Sequence, residues 1–92
     1  MDLEKLEKMA KLFLEETPTG RSLLVYNSAF ALKFRDLMQV ASRVLPDHRA
    51  LFISAVSKIN FSLTLSDADS ITRRLLAILE TETYRAKQAP KT

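Results

Sequence analysis

Eleven consecutive residues, Ser22 to Leu32 (SLLVYNSAFAL), carry no formal charge, in a chain whose flanks are amphipathic. A helix that is apolar on nearly every side has to be covered on nearly every side, so the fold must enclose this stretch. The run is far shorter than the 18 or more apolar residues that span a bilayer, which argues for a soluble domain with no membrane partner.

The stretch continues into a longer helical pattern. Thr17-Pro18-Thr19-Gly20 breaks periodicity, because the residue before a proline is pushed out of helical geometry and Gly20 is the chain's single glycine. No further breaker intervenes before Pro46, so the spacing predicts one long central helix over about 19–45. Leu23, Asn27, Phe30, Phe34, Leu37, Ala41 and Val44 mark its main face. Leu24, Ala31, Met38 and Leu45 repeat beside it every seven residues, and Val25, Ala29 and Leu32 add a third line. Beyond Leu32 the pattern becomes one-sided, with Arg35, Asp36, Gln39, Ser42 and Arg43 on the polar side.

Three shorter patterns surround it. From Asp2, a candidate cap, to Glu16, the residues Leu3, Leu6, Ala10 and Phe13 form a seam flanked by the pairs Glu4/Lys8 and Glu7/Lys11. Leu51, Phe52, Ala55, Val56 and Ile59 predict a one-sided helix from about Asp47 to Asn60. Ser66-Asp67-Ala68-Asp69 reads as a Ser-x-x-Asp capping box opening a fourth helix, with Ala68, Ile71, Leu75, Leu76, Ile78 and Leu79 on its buried side. Phe61–Leu65 alternates apolar and polar residues, but no second strand is available to pair with it, so it is read as an ordered connection. The chain is thus expected to be all-α: a four-helix up-down bundle-like domain over residues 1–87, with 88–92 as a disordered tail.

Composition narrows the chemistry. With 47% hydrophobic residues a core is within reach, and the absence of cysteine removes disulfides and thiolate sites and fits a reducing compartment. The opening MDLEKLEK mixes acid and base too early for a secretory signal, so the expected location is the cytoplasm. His48, the only histidine, has no Glu-x-x-His or second-histidine partner to build a metal site. One glycine cannot form a phosphate-cradling loop. Glu15 and Glu16 are adjacent on a helix and point about 100° apart, so they form no dyad. No cofactor, metal or catalytic residue is expected, and the class predicted is a non-enzymatic interaction module.

The partner class follows from helix lengths. At 1.5 Å per residue the central helix would reach about 39 Å, against about 22 Å for the first and third helices and about 30 Å for the fourth. That mismatch would leave the apolar half of helix two wet, which predicts a homo-oligomer, a dimer favoured, or binding to another protein. The candidate interface is Leu24, Tyr26, Asn27, Phe30, Ala31 and Phe34, with Asn27 setting register through a hydrogen-bonded amide. The alternative is a nucleic-acid-binding protein using Arg43, Arg49, Arg73, Arg74 and Arg85, in line with a net charge of +3. Against it, Glu80 and Glu82 interrupt the basic run and no interleaved aromatics offer base stacking.

Overall fold

A computed structural model of the chain describes residues 3–16, 20, 22–23 and 28–88. They form four α-helices: α1 (Leu3–Glu16), α2 (Ala29–Val44), α3 (Arg49–Ser57) and α4 (Leu65–Gln88), with a single 3-10 turn at Pro46–His48. The chain is all-α, as its periodicities predict, and the helices share one hydrophobic core.

In α1 the seam Leu6, Ala10 and Phe13 is buried, while Lys8–Glu4 and Lys11–Glu7 pair at 3.7 and 3.2 Å on the exposed side. Exposed pairs of this kind stabilise by a few tenths of a kcal/mol each. The helix therefore depends on docking its seam.

Helix two departs from the expected 19–45 span. It starts at Ala29, after Ser28, whose backbone is extended (φ −74°, ψ 152°) and whose hydroxyl accepts the Ala31 N–H at 3.1 Å. The described residues upstream are committed elsewhere. The Ser22 carbonyl accepts the Leu65 N–H and the Gly20 carbonyl accepts the Ser66 N–H, both at 2.9 Å. Ser66 Oγ also donates to the Gly20 carbonyl at 2.7 Å, and Leu23 makes an isolated antiparallel bridge to Thr64. The first N–H groups of a helix have no partner within it. Here two of those at the start of α4 are satisfied by the Gly20 and Ser22 carbonyls, which a continuous helix would have used for itself. At 16 residues, α2 is about 24 Å long, and the longest helix is α4, with 24 residues.

The α4 start also shifts from its predicted place. Thr64, not Ser66, caps it: Thr64 Oγ1 accepts the Asp67 N–H and Asp67 Oδ2 accepts the Thr64 N–H, each at 3.0 Å. This is a reciprocal capping box two residues upstream of the Ser-x-x-Asp reading. The preceding connection carries Asn60 in the left-handed region (φ 75°), two residues beyond the Lys58 C-cap of α3, a conformation asparagine tolerates in turns. Leu63 enters the core from this connection while Phe61 stays exposed. The third helix starts at Arg49 instead of Asp47, because Pro46–His48 winds as a 3-10 turn.

Helix α2 lies between α1 and α3, and α4 packs against α1. The Phe13 and Phe34 rings meet with centroids 5.8 Å apart and a 44° tilt. Above them Lys33 Nζ reaches Glu16 Oε2 at 2.6 Å, which gives the acidic end of α1 a counter-charge on α2. Thr72 is the one buried polar residue among those described, and its hydroxyl donates to the Ala68 carbonyl at 2.8 Å. A buried hydroxyl bonded in this way carries little desolvation penalty.

Candidate protein interaction surface

Two shallow hollows flank α2, one on each side of it. One, of about 230 Å³, lies between α1 and α2 and is lined by Met9, Leu12, Phe13, Glu16, Lys33, Asp36 and Leu37. The other, of about 280 Å³, lies between α2 and α3 and is lined by Met38, Gln39, Ser42, Phe52, Ile53, Val56 and Ser57. Each is below the roughly 300–1,000 Å³ typical of small-molecule sites. Both are lined mainly by apolar side chains.

Helix geometry sets them on the two flanks of one ridge. Asp36 lines the first hollow and Gln39 the second. At 100° per residue, Leu32, Asp36, Gln39 and Arg43 fall within about 60° of one another, forming a ridge along the outside of α2. Three of the six large apolar residues exposed among the described ones lie on or beside it: Leu12 on α1, Leu32 on α2 and Ile53 on α3, exposed by 55%, 41% and 50%. Single exposed apolar residues are ordinary on a folded surface, and these three stand on neighbouring helices.

The residues expected to form the interface divide differently. Leu24, Tyr26 and Asn27 lie outside the described residues. Ala31 and Phe34 are wholly buried in the chain's own core, and Phe30 is half-buried against it. These three are therefore on the inner side of α2, covered by the chain itself. The reason is that the regular apolar period picks out core positions first, since burial of those side chains drives the fold. Leu12 widens the apolar face of α1 in the sequence but is exposed, and Ile53 is exposed as well; each sits off its helix's buried seam, Leu12 beside Leu6–Ala10–Phe13 and Ile53 beside Phe52–Ala55–Ile59. An apolar residue at a position the period assigns to solvent is the signal that would have found them.

The basic candidates are all exposed but spread out. Arg43 is on the α2 ridge and Arg49 opens α3, whereas Arg73, Arg74 and Arg85 are on α4, which lines neither hollow. Arg73 pairs with Asp69 at 2.9 Å and Arg85 with Glu82 at 3.7 Å. His48 lines a separate hollow with Ile78, Thr81, Glu82 and Arg85. Among the described residues, no group of three or more His, Cys, Asp or Glu is placed to hold a metal ion, and no helix is long and apolar enough to cross a membrane. No protein-family model, curated protein or solved structure matches the chain.

Proposed function

We propose that this chain is a non-enzymatic helical protein–protein interaction module that self-associates through the outer face of α1, α2 and α3, and that it works in the cytoplasm. The observation that carries this reading is the grouping of exposed Leu12, Leu32 and Ile53 around the α2 ridge, beside two apolar hollows. Helix two remains the centre of the reading, with the contact on its outer side. The cysteine-free composition fits a reducing compartment.

Size-exclusion chromatography with light scattering tests it. The expected result is a mass that rises from one to two chains as concentration increases through the micromolar range. A Leu12→Glu/Ile53→Glu double variant should keep the helical circular dichroism of the parent and stay monomeric, since both side chains are half exposed in the single chain. A parent that remains monomeric at about 100 µM, equivalent to less than about 6 kcal/mol of association free energy, would remove the reading.

A further inference from the structure

We infer that the second copy docks on this face with its α2 antiparallel to the first, so that Asp36 of each copy meets the partner's Arg43. The inference rests on the self-association reading above and adds its geometry. Asp36 and Arg43 are two turns apart on the α2 ridge, about 10 Å along the axis. Both are exposed, and neither is ion-paired with another described residue. One acid and one base on a single ridge are complementary to their own copy only when the second helix runs the other way. A parallel pairing in register would set Asp36 on Asp36 and Arg43 on Arg43, which opposes association.

Antiparallel pairing about a two-fold axis beside Gln39 makes two identical ion pairs, each about 5 Å from the axis. The surroundings suit it. Ile53 borders the hollow that Gln39 lines, so it lies near the axis and faces its own copy. Leu12 and Leu32 flank Asp36, where the methylene stem of the partner's Arg43 covers them as its guanidinium reaches the carboxylate. The face spans α2's length of about 24 Å and three helices at spacings of 8–10 Å, giving on the order of 500 Å² per copy. About 1,000 Å² in total is at the lower bound for a specific interface, so pairing is expected in the micromolar range.

Charge reversal distinguishes this geometry from others. Asp36→Arg and Arg43→Asp should each weaken self-association by about ten- to hundred-fold, because each turns two attractive contacts into two repulsive ones. Mixed one to one, the two variants should form a heterodimer, and the combined Asp36→Arg/Arg43→Asp chain should dimerise again. Sedimentation equilibrium reads all four samples, and both positions are exposed, so the fold is not at stake. If the parent dimerises and Leu12→Glu/Ile53→Glu abolishes it, yet the charge reversals change nothing, the antiparallel pairing is overturned while the face stands. If the parent is monomeric and the face binds a different protein, both the geometry and the self-association reading fail.

Discussion

The two sides of α2 carry different information. On the inner side Ala31, Phe34, Met38 and Ala41 are wholly buried at helical spacing, and their identity explains why the helix docks at all. On the outer side Leu32, Asp36, Gln39 and Arg43 are exposed and follow no apolar period. Leu32 and Phe34 are two residues apart yet point about 160° from each other. Regular periodicity therefore identifies what the chain does to itself. What it offers to another molecule is found where an apolar residue occupies a solvent position, and where charges stand without a partner.

The strongest way to break this contrast is on the inner side. Phe34→Ala should destabilise the fold by about 3–5 kcal/mol, since it empties a ring-sized space beside Phe13 that the neighbouring helices cannot fully close. Urea denaturation followed by circular dichroism measures it. A loss below about 1 kcal/mol would mean that the inner side is not a packed core.

How far this was legible in the sequence depends on the range of the interactions involved. The α1 seam, with Glu4–Lys8 and Glu7–Lys11, depends on residues three or four apart, and all of it could be read. The same holds for the second half of α2. The start of α2 could not, because the decisive bonds join Gly20 and Ser22 to the beginning of α4, and Gly20 and Ser66 are 46 positions apart. Thr64 was hidden for another reason: it sits inside the alternating Phe61–Leu65 pattern, while Ser66 offered an equally good capping spacing. The outer face became visible only when α1 and α3 were placed on either side of α2. Leu12, Leu32 and Ile53 are distant in sequence, and nothing local joins them.

A second test acts on the outer side and should separate association from folding. Leu32→Ser is expected to leave the stability of the single chain within about 0.5 kcal/mol, as surface substitutions usually do. If pairing covers roughly 40 Å² of each copy's Leu32, the two copies together lose about 2 kcal/mol of association, a weakening of about thirty-fold. Thermal unfolding at low concentration and sedimentation at high concentration measure the two effects independently. Equal loss in both would show that Leu32 belongs with the inner side.

The smallest expected effect comes from the residue that caps α2. Ser28 fixes where α2 begins, and its hydroxyl satisfies one of the donors that a helix start leaves open. Ser28→Ala should cost about 1 kcal/mol of folding free energy, within the range of 0.5–2 kcal/mol seen for lost caps. Ser28→Asp should retain the parent's stability, because the carboxylate accepts the same bond and α2 has no acidic residue in its first turn to oppose it. Ser28 stands one turn before Leu32, and the carbonyl that accepts the Leu32 N–H is backbone and stays in both variants, so the dissociation constant of folded chains should match the parent's in both. If Ser28→Ala weakens pairing more than its loss of folded chain accounts for, the cap would be setting the rotation of α2 itself. The inner and outer sides would then be coupled instead of independent.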